Sequence, residues 1–325
     1  MKLSTHIEEW DLKQPFRISG QEWRSARSVV VEIEADGYIG RGEGHRVYYV
    51  GETIETMTAQ LDAIADRLRE GISREDLLQL MPSGGARNAV DCALWDLEAK
   101  RSGKSIWELT GIDPKPVTTV FTIGLEDTPE QMGANAKAAS RYPVLKIKLS
   151  DDRPVERLEA IRQARPDAKL VVDANQGWNF DLLQQVLPRC AELDISMVEQ
   201  PLPRGDDAAL EGFESPVILA ADESCLDTSE MDVAISRYDM INIKLDKTGG
   251  LTEALRLARA AKEKGCKLMV GNMIGTSLSM APSFVIAQLC DFVDIDGPLL
   301  LKYDRFGGLE YQDAEVQVFN SSFWG

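Results

Sequence analysis

Two lysines that lie two positions apart in a short apolar segment are the first residues whose spacing suggests chemistry. Residues 145–149 read Leu-Lys-Ile-Lys-Leu, a composition typical of a β-strand. Successive side chains of a strand point to opposite faces, so Lys146 and Lys148 share one face and the three aliphatic residues share the other. Taken alone, the segment fits an edge strand with solvated lysines, because lysine is usually exposed. The residues that follow favour a second interpretation, in which the lysines line a site.

Charged residues recur at nearly constant spacing after Lys148, each at the end of a predicted apolar strand. Asp173 follows after 25 positions, and Glu199, Asp222 and Lys244 follow at further intervals of 26, 23 and 22 positions. This spacing matches a repeated strand and helix, and the carboxyl ends of parallel barrel strands meet at one rim. We therefore expect these side chains to converge at the mouth of a barrel.

The three acids Asp173, Glu199 and Asp222 fall on the third, fourth and fifth predicted strands. Neighbouring carboxylates repel one another unless a cation joins them. All-oxygen ligation with room for water and a substrate oxygen is typical of Mg²⁺. Each acid taken singly could instead cap the helix that follows its strand, but three in register favour a Mg²⁺ site.

The lysines Lys148 and Lys244 fall on the second and sixth strands, half a turn apart in an eight-stranded barrel. We expect them to face each other across the mouth, with the three acids on the arc between them. Inversion of a stereocentre needs two bases on opposite faces of one carbon, because one removes the α-proton and the other returns it. A bound metal and a neighbouring cation would stabilise the enediolate charge. Lys247, in the same segment as Lys244, is interpreted as a surface charge.

Composition limits the classes of function. The chain has 325 residues, 44% hydrophobic and 27% charged, which is enough for one large domain or two ordinary ones. A formal net charge of −17 repels nucleic acid and anionic membranes, so neither is expected as a partner. No signal segment and no 18-residue apolar run is visible. Five scattered cysteines indicate buried thiols of a reducing compartment, so we expect a cytoplasmic protein.

The elements that must position the charged residues divide the chain into two parts. Residues 1–115 predict an α+β capping domain, in which 14–26 is a mobile loop and the aromatic-rich tail 300–325 packs back. In residues 116–299 short apolar strands alternate with amphipathic helical segments. This alternation predicts an α/β fold, a (β/α)7β-type TIM barrel, with a doubly wound sheet as the alternative. The eight predicted strands are 118–123, 145–149, 170–174, 197–200, 217–221, 240–245, 268–270 and 292–295.

The strand-end residues, together with four further segments, resemble the enolase superfamily, muconate-lactonizing subgroup. The resemblance covers essentially the whole chain and is closest to the dipeptide epimerases, in particular those that act on L-Ala-Glu. It implies an isomerase with Lys148 and Lys244 as the two bases and Mg²⁺ on the three acids. The four segments are Ala-Arg-Asn-Ala-Val-Asp-Cys-Ala-Leu-Trp-Asp-Leu at 86–97, Asp-Glu-Ser-Cys at 222–225, Asn-Ile-Lys-Leu-Asp-Lys-Thr-Gly-Gly at 242–250 and Asp-Ile-Asp-Gly-Pro at 294–298.

Asp294 and Asp296 share one face of the eighth strand, opposite the arc of metal-ligating acids. An ammonium group is the natural partner of a carboxylate pair. A dipeptide spans roughly 7 Å when extended, so a substrate carboxylate on the metal would direct its other end toward these acids. The resemblance implies that the N-terminal ammonium of a dipeptide binds there and that its C-terminal residue is inverted. A turn-capping role before Gly297 is the alternative.

The remaining substrate contacts are expectations from the same resemblance. Lys146 is assigned to substrate binding as the cation beside the base. A glutamyl side chain would need a cation from the loop over the site, and we favour Arg24 over Arg17 and Arg27, with a solvated loop arginine as the alternative. Thr122 matches a substrate contact of the family, although an ordinary strand threonine is the alternative.

The favoured reaction is Mg²⁺-dependent epimerisation of a small dipeptide, such as L-Ala-L-Glu to L-Ala-D-Glu. The alternatives are an o-succinylbenzoate synthase or an N-acylamino acid racemase of the same subgroup. Substrates that are anionic and lack an ammonium would be repelled by Asp294 and Asp296, which favours the epimerase. A non-catalytic peptide-binding barrel is disfavoured because every base and metal-ligating acid is present. A homo-oligomer is left open, and the resemblance implies a role in murein-peptide recycling.

Overall fold

The computed structural model describes residues 1–325, and its first region combines a three-stranded antiparallel sheet with four helices. The sheet has the order β1-β2-β3, so each strand pairs with its neighbour in sequence. The elements are β1 (Lys2–Ile18), β2 (Gln21–Ala35), β3 (Tyr38–Gly44), α1 (Ile54–Glu70), α2 (Arg74–Leu80), α3 (Gly85–Ser102) and α4 (Ile106–Thr110).

Residues 14–26 belong to a long β-hairpin, so the prediction of a loop at these residues was wrong. β1 and β2 stay paired out to Ile18 and Gln21, with one register shift between Asp11 and Phe16. Many side chains of this ribbon are exposed, so the apolar alternation that marks a half-buried strand is weak. The polar, glycine-containing composition therefore resembles that of a loop.

A row of glycines lets helix α3 pack directly on strand β3. Gly40, Gly42 and Gly44 alternate along β3 and point to the same face. A Cβ atom at any of them would lie 2.0–2.1 Å from a backbone carbonyl oxygen of α3. Any side chain here would push the helix away, so the glycines fix the distance between the sheet and its helix.

The second region is a sheet of eight parallel strands with helices between them, as predicted. The strands follow one another around the sheet in sequence order. Val120 N donates to Val293 O at 2.9 Å, which joins the first strand to the last. None of the helices in the chain has the length and apolar composition needed to span a membrane. The elements are β5 (Phe121–Ile123), α5 (Pro129–Ala138), β6 (Val144–Lys148), α6 (Pro154–Ala164), β7 (Lys169–Asp173), α7 (Phe180–Glu192), β8 (Ile195–Glu199), β9 (Ile218–Ala221), α8 (Met231–Ile235), β10 (Met240–Ile243), α9 (Leu245–Thr248), α10 (Leu251–Glu263), β11 (Lys267–Val270), α11 (Ser277–Ala287), β12 (Phe292–Val293) and α12 (Gly297–Leu300).

Alternation along β6 explains how two lysines enter the barrel. Leu145 and Ile147 are fully buried in the large apolar cluster that joins the strands to the surrounding helices. Lys146 and Lys148 point to the opposite face, where Lys146 contacts acids of three other strand ends. The inner face of the sheet is otherwise closed by a small apolar cluster that consists of Val120, Val171, Met197, Ala220, Met240 and Met269.

Buried polar residues of helix α3, among them Arg87 and Asp91, fasten it to the barrel. The Arg87 guanidinium donates to Thr248 O at 2.7 Å. Asp91 accepts hydrogen bonds from Thr252 N at 2.9 Å and Thr252 Oγ1 at 2.6 Å. Gly250 lies against the Asp91 side chain with φ +125°, so a Cβ atom there would be 2.4 Å from it. Two of the segments that carry the family resemblance therefore meet at this junction.

The C-terminal segment contacts both regions. Its short hairpin, β13 (Tyr311–Gln312) and β14 (Glu315–Val316), pairs with β4 (Val117–Thr118) just before the barrel. Trp324 is fully buried, and its indole N–H donates to Arg41 O at 3.0 Å. The tail therefore adds a strand pair and an aromatic anchor to the junction of the two regions.

Asp91 gives a testable dependence of stability on pH. Burial outweighs the hydrogen bonds from Thr252 and raises the pKa of Asp91 from its ordinary 3.8 to about 6. Between these two values the folded state binds more protons than the unfolded state, so stability falls as the pH rises through this window. We expect the wild type to lose about 2 kcal/mol relative to Asp91→Asn between pH 4 and pH 6. Urea denaturation of both proteins measures this, and a constant difference would contradict it.

Candidate active site

The three acids predicted as metal ligands lie at the carboxyl ends of three neighbouring strands. Asp173 ends β7 and is the register neighbour of Glu199, which ends β8, and Asp222 directly follows β9. All three residues are completely buried. Because a buried carboxylate without a partner is strongly destabilising, each of them needs positive charge nearby.

Lys146 supplies part of this charge. Its Nζ lies 2.8 Å from Glu199 Oε2, 3.2 Å from Asp173 Oδ2 and 2.8 Å from Asp294 Oδ2. Burial alone would lower the pKa of Lys146, but the three carboxylates outweigh it and raise the pKa well above its usual value. Lys146 is therefore a permanent cation inside the barrel mouth, and the solvated edge-strand interpretation does not apply.

The two lysines predicted as bases bind different carboxylates. Lys148 Nζ donates to Asp173 Oδ2 at 2.6 Å, and Lys244 Nζ donates to Asp222 Oδ2 at 2.5 Å. Burial opposes the charge of Lys244, but the Asp222 carboxylate outweighs it and raises the pKa of Lys244. Lys148 ends β6 and Lys244 follows β10, four strands further along the sheet. The two amines thus lie at opposite ends of the row of acids and line one cavity.

The row of acids fits a hard divalent cation in charge and donor type. Burial and the neighbouring Asp173 raise the pKa of Glu199 to about 7, a sign of insufficient positive charge. Glu199 Oε2 and Asp222 Oδ1 are buried and accept no hydrogen bond, although an ammonium lies 2.8 Å from each. The acids do not form a compact ligand cluster by themselves, because lysine ammonium groups lie among them. Carboxylate oxygens of this kind are the ligands that Mg²⁺ prefers.

Asp294 and Asp296 lie together at the end of β12, on the other side of Lys146. Asp294 accepts hydrogen bonds from Lys146 Nζ at 2.8 Å and from Asn272 Nδ2 at 3.0 Å. Asp296 Oδ2 accepts a hydrogen bond from Thr122 N at 2.7 Å, so Thr122 contacts the acid through its backbone. Burial and the charge of Asp294 raise the pKa of Asp296 to about 7. The pair is thus a buried acidic site with less positive charge than it can accept.

A cavity of 590 Å³ lies between the barrel rim and the β1–β2 hairpin. Of the predicted catalytic and metal-ligating residues, only the two lysines Lys148 and Lys244 line it, and the acid pair Asp294 and Asp296 does not. Trp23, Tyr48 and Tyr49 form an aromatic part of its wall, with successive ring centroids 5.7 Å and 5.1 Å apart. Arg24 also lines the cavity. Its side chain is 78% exposed, and its Nη2 lies 3.0 Å from Glu22 Oε1. Arg24 is therefore within the cavity wall, but a neighbouring carboxylate already pairs with it.

Several cavity residues were missed by the sequence analysis. Asn175 and Glu223 each keep a buried oxygen that accepts no hydrogen bond. Burial and the adjacent Asp222 raise the pKa of Glu223 to about 8. Their position one or two residues after a strand-end acid is the signal that could have identified them. Met273 and Ile274 also line the cavity, but they lie in a loop without any polar pattern.

Lys247 is buried in the barrel, so its interpretation as a surface charge was wrong. Its Nζ donates to Asn242 O at 2.8 Å, to Cys225 O at 3.0 Å and to Asp222 O, and it lies 2.8 Å from Asp222 Oδ1. One ammonium of α9 thus ties the end of the Asp222 strand to β10. A single lysine in a polar segment has no feature by which its burial could be recognised.

Replacement of Lys247 by methionine should destabilise the protein strongly. The change leaves three buried carbonyl groups and the Asp222 carboxylate without their shared partner, which we expect to cost about 3–5 kcal/mol. Lys264, which is exposed and pairs with Asp232, provides the control, and Lys264→Met should change stability by less than about 0.5 kcal/mol. Urea denaturation measures both variants. Equal stability of the two would show that the Lys247 contacts are not formed.

Comparison with characterised proteins places the chain among epimerases and racemases. The L-Ala-D/L-Glu epimerase of Escherichia coli (strain K12) is 42% identical over 314 residues, which cover 96% of this chain and 98% of that protein. An N-acetyl-D-glutamate racemase of Pseudoalteromonas sp. is 38% identical and covers 91% of this chain and 95% of that protein. These relatives share the reaction type but differ in the group attached to the amino nitrogen.

Solved structures agree with this assignment. An enolase family member from Agrobacterium tumefaciens, with homology to dipeptide epimerases and with bound sodium and L-Ala-L-Glu, superposes with a TM-score of 0.96 at 46% identity, covering 99% of both chains. A dipeptide epimerase of Enterococcus faecalis complexed with Mg and L-Leu-L-Tyr has a TM-score of 0.90 at 27% identity, covering 98% of this chain and 96% of that chain.

Family models match both regions of the chain. Residues 1–111 match the mandelate racemase/muconate lactonizing enzyme N-terminal domain, and residues 131–319 match the enolase C-terminal domain-like family. Together with the barrel and the strand-end acids and lysines, these matches show that the chain belongs to the mandelate racemase/muconate lactonizing enzyme family of the enolase superfamily.

Proposed function

We propose that this chain is a Mg²⁺-dependent dipeptide epimerase that inverts the α-carbon of the C-terminal residue, with L-Ala-L-Glu as a substrate. One observation carries the proposal. The amines of Lys148 and Lys244 lie at opposite ends of a row of buried carboxylates and border the same cavity. The similarity to the E. coli L-Ala-D/L-Glu epimerase and to the A. tumefaciens protein with bound L-Ala-L-Glu supports this choice of substrate.

Proton transfer in this proposal uses the two lysines in turn. The neutral amine of one lysine removes the α-proton, and the ammonium of the other donates a proton to the opposite face of the same carbon. The first lysine is then protonated and the second is neutral, so the reverse reaction begins from the D-epimer. Both side chains are largely shielded from bulk water, with 9% and 8% exposure, and both reach solvent only through the cavity that they line.

Charge in the enediolate is balanced by residues around the lysines. Asp173, Glu199 and Asp222 would bind Mg²⁺, which supplies positive charge to the substrate carboxylate. Lys146 adds a permanent ammonium among Asp173, Glu199 and Asp294. Because this ammonium and the surrounding acids are already in place, little reorganisation is needed when negative charge develops on the substrate.

Recognition of a dipeptide in this proposal depends on Asp294 and Asp296. Lys146 compensates only part of the negative charge of these two buried acids. The N-terminal ammonium of a dipeptide would compensate the rest. An N-acyl substrate has no ammonium group to bind this pair. We therefore rank the racemase reaction, which the Pseudoalteromonas relative suggests, as the second candidate. Thr122 orients Asp296 through its backbone, and Arg24 would bind the glutamyl side chain from the cavity wall.

A cytoplasmic location is part of the proposal. All five cysteines are free thiols, and Cys92, Cys190 and Cys225 are buried. A reducing compartment preserves thiols in this state.

Incubation of L-Ala-L-Glu with the enzyme and Mg²⁺ in deuterated water tests the function. We expect one deuterium in the C-terminal residue and accumulation of L-Ala-D-Glu, because inversion passes through loss and return of the α-proton. Mass spectrometry and chiral chromatography measure the two outcomes, with EDTA-treated enzyme as control. N-Acetyl-L-Glu tests the second candidate in the same assay. Absence of exchange in a library of dipeptides would refute the epimerase proposal.

Replacement of either base should stop inversion. We expect Lys148→Gln and Lys244→Gln each to lower kcat for epimerisation by about 10²–10⁴-fold, the usual contribution of a general acid or base. Each variant retains the other lysine, so it should still exchange the α-proton of one enantiomer. Lys137→Gln, an exposed position on α5, serves as the control and should keep wild-type activity. A variant of Lys148 or Lys244 with undiminished epimerisation would remove that lysine from the mechanism.

A further inference from the structure

Glu43 is a completely enclosed acid that the proposed mechanism does not use. It lies near the end of β3, is 1% exposed, and does not line the cavity. Burial alone would raise its pKa, but His45, Arg305 and Thr276 outweigh it and lower the pKa of Glu43 to about 2. Glu43 is therefore an ionised carboxylate at neutral pH, although it is far from solvent. A buried charge of this kind is stable only where neighbouring groups compensate it.

The contacts of Glu43 lead to one wall of the cavity. Its Oε1 accepts a hydrogen bond from Thr276 N at 3.0 Å and lies 3.0 Å from His45 Nε2, and its Oε2 accepts a hydrogen bond from Thr276 Oγ1. Thr276 ends the loop of residues 271–276 between β11 and α11 and caps α11 through its side chain. We call this segment the β11–α11 loop. Three of its residues, Asn272, Met273 and Ile274, line the cavity.

The β11–α11 loop in turn supports the acid pair. Asn272 Nδ2 donates to Asp294 O at 2.8 Å and to Asp294 Oδ1 at 3.0 Å. Gly275 lies so close to His45 that a Cβ atom at this position would be 2.3 Å from His45 Nε2. The loop therefore fits tightly between Glu43 and His45 on one side and Asp294 on the other.

The second partner of Glu43 leads to the opposite wall. Arg305 Nη2 lies 3.0 Å from Glu43 Oε2, and its Nε donates to Thr276 Oγ1 at 2.6 Å. The same guanidinium pairs with Glu8 and lies 5.1 Å from the ring centroid of Trp10. Glu8 and Trp10 belong to β1, and the outer part of the β1–β2 hairpin forms the cavity wall that carries Trp23 and Arg24. The Glu43–Arg305 ion pair therefore contacts both the β11–α11 loop and the β1–β2 hairpin.

We propose that the ion pair between the buried Glu43 and the partly buried Arg305 positions the two walls of the dipeptide site, the β11–α11 loop and the β1–β2 hairpin. This inference rests on the proposed function for its consequence in catalysis, but its structural part is independent of it. Glu43 touches neither substrate nor the lysines, so it is a positioning residue. The hydrogen bonds of Glu43 are charge-assisted and shielded from water. They therefore hold the loop more strongly than hydrogen bonds between neutral groups would.

Glu43→Gln is the principal test, because it preserves shape but removes the charge and turns one acceptor into a donor. Amide hydrogen exchange followed by mass spectrometry should show exchange about tenfold faster, or more, in peptides that cover residues 8–27 and 271–276. Arg305→Lys retains the charge but loses the forked geometry, so it should show a smaller effect in the same two segments. It also provides the test if Glu43→Gln fails to fold.

Asp96→Asn is the matched control. Asp96 is a fully buried acid of the same region, and it accepts hydrogen bonds from Arg41 N and Gly325 N, both at 2.8 Å, away from the cavity. This variant should leave exchange in both segments unchanged. Equal acceleration in Asp96→Asn and Glu43→Gln, or none in the Glu43→Gln and Arg305→Lys variants, would overturn the inference.

Kinetics give the catalytic part of the test. With L-Ala-L-Glu we expect Glu43→Gln to lower kcat/KM by about 10–100-fold, mainly through a higher KM, because misplaced walls weaken substrate positioning. A change in kcat alone, with KM unaltered, would contradict this. If the wild type epimerises no dipeptide, the proposed function fails, and hydrogen exchange still decides whether the ion pair positions the walls.

Discussion

The structure depends above all on the neutralisation of charge inside the barrel mouth. Ionised groups cannot be buried there singly, so acids and ammonium groups must be placed together and in nearly equal number. When all are ionised, the six buried acids of the mouth carry two more charges than its four buried lysines. One divalent cation would balance this excess. Burial and the uncompensated carboxylates raise the pKa of Glu199, Glu223 and Asp296 accordingly. The buried groups are Lys146, Lys148, Lys244 and Lys247 with Asp173, Glu199, Asp222, Glu223, Asp294 and Asp296.

The barrel and most of its charged rim could be predicted from the sequence because two simple rules act together. Short apolar runs locate the strands, and the repeating length of a strand and helix places the following polar residue at the same rim each time. Asp173 and Glu199 are found in this way, and the register of β7 with β8 brings them side by side. Lys146 follows from the alternation of one strand, although its contact with acids of three other strand ends could not be foreseen.

What the sequence did not reveal depends on contacts between segments far apart in the chain. Lys247 is surrounded by carbonyl groups of three separate residues, and no local pattern records that enclosure. The β1–β2 hairpin was missed because its polar composition reflects exposure, while its pairing is a property of two strands together. Arg305 reaches Glu43 across more than 250 positions, so its role is visible only in three dimensions.

The length of the β1–β2 hairpin beyond β3 has a mechanical consequence. β3 pairs with β2 only from Val29 onward, so the part of the hairpin over the cavity is a two-stranded ribbon. The glycines of β3 keep the sheet below it in direct contact with α3. At the tip, Arg17 O accepts a hydrogen bond from Leu125 N, and this contact must break before the ribbon can lift. The Leu12–Leu301 bridge, the hydrogen bond from Lys302 N to Asp11 O and the Arg305–Glu8 ion pair also hold the ribbon. Lifting it away from the cavity would therefore require contacts with both the barrel and the C-terminal segment to break together.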